Sequence, residues 1–165
     1  MPQSAYTLRN EDFINTVYVV CLKCNAQALV LGGQPYKTIA EYEMEVRFSC
    51  TSCGFSVKYI NTPKFTAYIN NKGQAVTSRL LIQNAPCDPF FGFDVWYQVE
   101  TKHGLLWAYN LEHLTVIESY IADTHRTRNG LPYKNNSIGS RLPQWIKNAK
   151  NRIYLLKIIA RLKKF

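Results

Sequence analysis

The sequence predicts an α+β fold, with cysteine-bearing antiparallel hairpins first and two helices last. Three observations carry that expectation. Two Cys-x-x-Cys pairs, CLKCN at 21–25 and CTSCG at 50–54, each follow a strand-like run. Between 55 and 109, short apolar runs are separated by Gly- and Asn-containing turns. Beyond Asn110, apolar residues recur at steps of three and four.

Thr16–Val20 (TVYVV) is a β-branched run leading straight into Cys21 and is expected to be a strand. Residues 28–31 follow as a short second strand, ended by Gly32-Gly33-Gln34-Pro35. Over 40–50 (AEYEMEVRFSC), Tyr42, Met44, Val46 and Phe48 alternate with Glu41, Glu43, Glu45 and Arg47. That alternation predicts a half-buried strand ending at Cys50. Residues 55–60 continue beyond the second pair. A hairpin then joins 65–69 to 75–82 through Asn70-Asn71-Lys72-Gly73. Another joins 94–101 to 105–109 through Lys102-His103-Gly104. Asn110 suits the N-cap of a helix over about 111–128, with Leu114, Ile117 and Ile121 on one face and Gly130 as its stop. After a polar linker at 129–140, Pro143 stands in the first turn of a last helix reaching about Lys164. On it Leu142, Ile146, Ala149, Ile153, Leu156 and Ala160 form an apolar stripe.

Of the 165 residues 47% are apolar and 13% aromatic, enough for a packed core and contrary to global disorder. No run reaches the roughly 18 apolar residues of a membrane helix. The opening MPQSAYTLRNEDF has neither the basic start nor the apolar run of a signal peptide. A cytoplasmic location is expected, where paired cysteines bind metal more often than each other. The formal charge of +9 is unevenly spread: residues 124–165 hold eleven Lys/Arg and no acid. Residues 1–123 hold nine basic residues against eleven acids, a balance of −2. So basic an end points to a polyanion partner, nucleic acid before an anionic membrane surface.

Cys21, Cys24, Cys50 and Cys53 are expected to hold one metal ion, because two Cys-x-x-Cys turns supply a closed tetrahedral shell of four thiolates. The residue after each pair favours a positive φ, which Gly54 and Asn25 tolerate best. With a 25-residue spacer that fits a hairpin, the arrangement resembles a zinc ribbon of the transcription-factor-IIB type over about residues 16–60. The resemblance implies one structural Zn2+. A thioredoxin-like redox pair needs a single Cys-x-x-Cys in a strand-to-helix turn, and a disulfide framework needs an oxidising compartment. Rubredoxin-like iron uses the same four thiolates and stays open beside zinc. Four protein thiolates leave no position for water or substrate, so the site reads as structural. Cys87, beside Asp88-Pro89, reads as a buried structural thiol.

From Asp88 on, the words DPFFGF, LWAYNLEHL and SRLPQWIKNAKNR are similar to those of an uncharacterised family of small bacterial zinc-ribbon proteins. The likeness covers about residues 88–155. It implies a ribbon joined to an aromatic block and a terminal helix, and no particular activity. Members carry a further cysteine pair before the LWAYN-like word. Thr101-Lys102-His103-Gly104 stand there in this chain, so a second metal site is not expected. The division implied is a ribbon at 1–62 and an aromatic, helical region at 63–165. Phe90, Phe91, Phe93, Trp96, Tyr97, Trp107 and Tyr109 are expected to pack as core, with Tyr97 buried and Trp96 the candidate exposed ring for base stacking. Trp145 reads as an anchor of the last helix. His103, His113 and His125 read as turn, capping or surface residues. Asn110, Glu112, His113 and Glu118 cluster, but local capping accounts for them. An enzyme would need a cleft around His103–His113 holding a perturbed side chain.

The expected function is non-enzymatic nucleic-acid binding or an adaptor role, with DNA or RNA phosphates as partner. The candidate contacts are Arg126, Arg128, Lys134, Arg141, Lys147, Lys150, Arg152, Lys157, Arg161 and Lys164. The alternative is a protein-interaction module that uses the apolar stripe on a partner or a second copy.

Overall fold

The computed structural model describes residues 4–165. Thr16–Val20 (β1) pairs antiparallel with Gln27–Leu31 (β2), Thr16 opposite Leu31 and Val20 opposite Gln27. Arg47–Ser49 (β3) adds to β2 and Ser56–Lys58 (β4) to β3, so the first sheet runs in the order β1-β2-β3-β4. Alternation along β1 and β2 buries Val17, Val19, Ala28 and Val30 on one face.

The strand expected over 40–50 is two elements. Ile39–Glu45 is a helix (α1), and only Arg47–Ser49 is extended. Thr38 Oγ1 accepts the Glu41 N–H at 3.2 Å, and Glu41 Oε2 accepts the Thr38 N–H at 2.7 Å. This capping box satisfies two donors that a helix start otherwise leaves open. Tyr42 and Val46 are buried and Met44 is 82% exposed, the pattern of a helical turn. Positions four apart satisfy both periods, so the cap and the helix formers Ala40, Glu41, Glu43 and Met44 decide between them. The end of α1 comes so close to Gly32 (φ +91°) that a Cβ there would stand 2.2 Å from the Glu45 carbonyl oxygen. Only glycine fits.

Lys64–Ile69 (β5) and Ala75–Arg79 (β6) form the expected second hairpin. Its β5 strand is exposed throughout. The hairpin is tethered at its base by Arg79, which is buried and donates to Glu43 Oε1 at 2.6 Å and to the Thr62 carbonyl. Buried Tyr59 donates its hydroxyl to the Leu80 carbonyl at 2.6 Å.

Tyr97–Thr101 (β7) and Gly104–Ala108 (β8) form the third hairpin. The segment before it lies along the free edge of β1: Val20 N–H donates to the Asp94 carbonyl at 2.9 Å and Trp96 N–H to the Tyr18 carbonyl at 2.8 Å. Consequently the ribbon sheet and the aromatic hairpin share a single core, in which Phe48, Phe90, Val95 and Tyr97 are all buried.

Helix α2 spans Leu111–Ala122 and stops short of the expected end near 128. Asn110 Oδ1 accepts the His113 N–H at 2.9 Å, as its N-cap position predicts. At the other end Asp123 turns extended, with ψ of 118°, and its carboxylate takes the His125 N–H at 3.0 Å. The side chain thus offers the backbone a turn in place of another helical bond.

The single last helix also divides. Ile138–Arg141 (α3), Gln144–Lys147 (α4) and Arg152–Leu162 (α5) are separate, with a 3-10 turn at Ala149–Asn151. Asn148 is extended (φ −73°, ψ 122°) and caps the Lys150 N–H at 3.0 Å. That break resets the helical phase. Leu155, Ile159 and Leu162 are the buried face, while Ile153 of the expected stripe is 71% exposed. Helix α5 packs along α2. Among the described residues no helix is long and apolar enough to cross a membrane.

Candidate functional site

Strands β1 and β3 run in the same direction, so the turns that follow them lie at one end of the sheet. There the Sγ atoms of Cys21, Cys24, Cys50 and Cys53 all fall within 4.8 Å of one another. Cys21 and Cys53 are 3.7 Å apart, Cys24 and Cys50 3.6 Å. Thiolates about 2.3 Å from a central ion stand roughly 3.8 Å apart in a tetrahedron. These edges match that shell and far exceed the roughly 2.05 Å of a disulfide. Each turn closes alike: Asn25 N–H donates to the Cys21 carbonyl and Gly54 N–H to the Cys50 carbonyl, both at 2.9 Å. Asn25 has φ of 58° and Gly54 of 75°, as their positions after the cysteine pairs predict.

Protonation favours a cation here. Desolvation opposes ionisation of Cys21, but the backbone N–H groups of Cys24 and Lys23 and the neighbouring thiols outweigh it and hold its pKa at about 7. For Cys53 the Phe55 N–H favours the thiolate, yet desolvation and the other three thiols prevail and push it up to about 11. The Cys21 thiolate thus forms readily while Cys53 resists a like charge beside it, and a positive ion among the four sulfurs removes that resistance. The donor set fits a single metal ion with no open coordination position.

Fold and site together define an α+β protein with a zinc-ribbon-like four-cysteine centre. Comparison with known protein families, curated proteins and solved structures finds no match.

The basic residues divide into two groups. Arg126 donates to the Ile121 and Lys147 carbonyls, and its guanidinium lies 5.0 Å from the Tyr120 ring centroid. Arg152 donates to the Ile121 carbonyl at 3.0 Å and the Asp123 carbonyl at 3.3 Å. Both cap the C-terminus of α2, where cations suit the dipole. Lys147 donates to the Ser140 carbonyl at 3.1 Å, and Arg128 lies between the rings of Tyr6 and Tyr133. Lys134, Arg141, Lys150, Lys157, Arg161 and Lys164 are exposed, and among the described residues none is within ion-pair distance of an acid. Lys157 and Arg161 stand one turn apart on α5. Lys163, absent from the expected set, is engaged by Glu118.

The aromatic block packs as core: Phe90 and Tyr109 are buried, and Phe91, Phe93, Trp96 and Trp107 pack against them half-buried. Tyr97 is 4% exposed as alternation predicts, but Trp96 is no open platform. Trp145 anchors α4, its ring lying over Gly104 and stacked at 6.0 Å on His103. Cys87 is half-buried, and burial pushes its thiol up.

His113 is a correction: expected near the surface, it is 1% exposed and stacked 4.9 Å from Phe13. Burial pulls its pKa from 6.5 down to about 3. Between those values the unfolded chain binds a proton that the native state refuses, so stability rises with pH up to about 6.5 and is lost as pH falls below it. The loss is about 1.4 kcal/mol per pH unit, or about 2 kcal/mol from pH 7 to pH 5. Asp88, whose carboxyl burial pushes up to about 6, titrates in the opposite sense over the same range, so the measure is the difference between proteins. In urea unfolding the wild type should lose about 2 kcal/mol more from pH 7 to pH 5 than His113→Gln does, and parallel losses would refute it.

Proposed function

We propose that the four thiolates hold one structural zinc ion, in a reducing compartment such as the cytoplasm, and that the protein is a non-enzymatic nucleic-acid-binding or adaptor protein. The likeness of DPFFGF, LWAYNLEHL and SRLPQWIKNAKNR to small bacterial zinc-ribbon proteins agrees with the metal and adds no activity. One observation carries the binding half: the acid-free stretch 124–165 leaves six exposed cations with no acid in ion-pair reach among the described residues. A solvated helix face ordinarily interleaves acids, and cations without them repel one another until a counter-charge arrives.

Arg126 and Arg152 are taken up in capping α2, so the phosphate contacts are assigned to Lys134, Arg141, Lys150, Lys157, Arg161 and Lys164. Each contact steepens the salt dependence by about 0.7 to 0.9 units of log K per log salt. Titration against DNA and RNA at several salt concentrations is expected to give a slope of about −3 or steeper. Neutralising Lys150, Lys157, Arg161 and Lys164 to Gln should remove most of it. A flat response in the wild type would end this reading. The protein-interaction reading keeps one supporting observation, exposed Ile153 on α5. A solution mass above that of one chain, reduced by Ile153→Asp, would favour it instead.

A further inference from the structure

Two sequence words that the metal centre leaves unused, LWAYNLEHL and SRLPQW, converge on one cavity. It measures ≈ 360 Å³ and lies between β8, α2 and the α3–α4 corner. That volume is at the lower end for small-molecule sites, roughly 300 to 1,000 Å³. Trp107 and Ile146 belong to the apolar side of a wall that is polar and apolar in near-equal measure, and none of the described residues lining it is an acid. Its polar groups are the Asn10–Asn84 pair, which share a hydrogen bond of 3.0 Å, with Arg141 and His113. Glu11 accepts from the Asn84 amide at 3.3 Å and lines not this cavity but the neighbouring depression, which Arg141 also borders.

His113 is the informative member. Its Nδ1 accepts the Tyr109 N–H at 3.2 Å, so Nδ1 presents its lone pair and the ring proton sits on Nε2. Nε2 is buried and has no partner. A buried donor without an acceptor is uncommon in a well-packed protein, and at a cavity wall it marks where an acceptor belongs. The depressed pKa keeps the ring neutral, so it offers a fixed hydrogen bond and not a titrating charge. Arg141, exposed and with no acid in ion-pair reach among the described residues, supplies the charge.

We propose that this cavity binds a small organic carboxylate, its apolar body against Trp107 and Ile146 and its oxygens taken by His113 Nε2–H and the Arg141 guanidinium. Two donors with no acid beside them select an anion; Trp107, Ile117 and Ile146 give a carbon body an apolar surface that a bare inorganic ion leaves unused. The site shares Arg141 with the proposed phosphate surface but owes its cavity and the His113 donor to neither that surface nor the metal centre.

The test uses the full-length, metal-loaded protein without nucleic acid, with phenylacetate, its neutral isostere phenylacetamide, and inorganic phosphate as probes. The readout is the His113 imidazole resonances in nitrogen-correlated NMR. Phenylacetate should shift them saturably, and phenylacetamide should bind at least tenfold more weakly. Arg141→Gln, at an exposed position that leaves folding intact, should abolish the preference for the acid. No saturable shift with phenylacetate, equal binding of acid and amide, or an unchanged preference in Arg141→Gln would each overturn the proposal, as would a response to phosphate alone.

Discussion

Chelating the metal from the protein at neutral pH is expected to abolish the four-stranded sheet. Strands β3 and β4 have three residues each, and an isolated pair of that length does not hold itself together in water. What keeps β3 beside β2 and β4 beside β3 at the cysteine end is the clamp that joins Cys21 and Cys24 to Cys50 and Cys53. Coupled metal binding and folding contributes on the order of 10 kcal/mol for a structural zinc site. Removal also exposes thiols that repel one another once ionised. The loss should spread, because β1 carries Val20 and Tyr18, whose backbone groups bond Asp94 and Trp96. Circular dichroism should lose its β signal on chelation and regain it with one equivalent of zinc. Cys21→Ser and Cys50→Ser, which alter the two buried ligands, should match the chelated state. A metal-free protein that keeps the sheet would refute the structural role. One equivalent of iron in the purified protein would replace zinc without touching the geometry.

The cysteine turns are legible in the sequence because everything they need is local: two thiols three residues apart, then a residue that accepts positive φ, after a strand. Asn25 and Gly54 meet that requirement within five residues. The boundaries of α1 and α5 are less legible because they rest on competition between two local options. At 40–50, buried Tyr42 and Val46 suit both a strand and a helix, and the tie is broken by Thr38, outside the alternating pattern, through its capping pair with Glu41. At Asn148 one side-chain bond to Lys150 N–H breaks a helix whose apolar steps look continuous. The basic end shows a different limit. Charge is legible by counting, but its availability depends on which carbonyls lie nearby. Arg126 and Arg152 meet at Ile121, 5 and 31 residues away in sequence. Nothing in the spacing of arginines announces such a meeting. His113 is hidden for the same reason: Phe13, which stacks on it, is a hundred residues distant.

Replacing Asp88 with alanine is expected to destabilise the protein by about 3 to 5 kcal/mol, as much as truncating a buried aromatic ring. Asp88 is fully buried and accepts three backbone hydrogen bonds. Its Oδ1 takes the N–H groups of Phe90 at 2.9 Å and Phe91 at 2.7 Å, and its Oδ2 takes that of Phe93 at 2.7 Å. Burial pushes the carboxyl up to about 6, but the Phe91, Phe93 and Phe90 N–H groups counter it, so the group is ionised at neutral pH. Hydrogen bonds to a charged acceptor contribute more than neutral ones, and truncation leaves buried donors unpaired. The consequence reaches well past the loop. Phe90 meets Tyr42 of α1 at 4.9 Å and Tyr59 at 5.4 Å, while Phe93 meets Phe48 of β3 at 4.9 Å. The carboxylate therefore holds in place the rings through which the second half of the chain grips the ribbon. Asp88→Asn keeps one acceptor but turns an amide N–H2 toward a backbone donor, and should fall between wild type and Asp88→Ala. Denaturant unfolding with the metal site saturated isolates this contribution from metal loss. An alanine variant within 1 kcal/mol of wild type would mean that the phenylalanine packing holds the loop without the carboxylate, and would overturn the account.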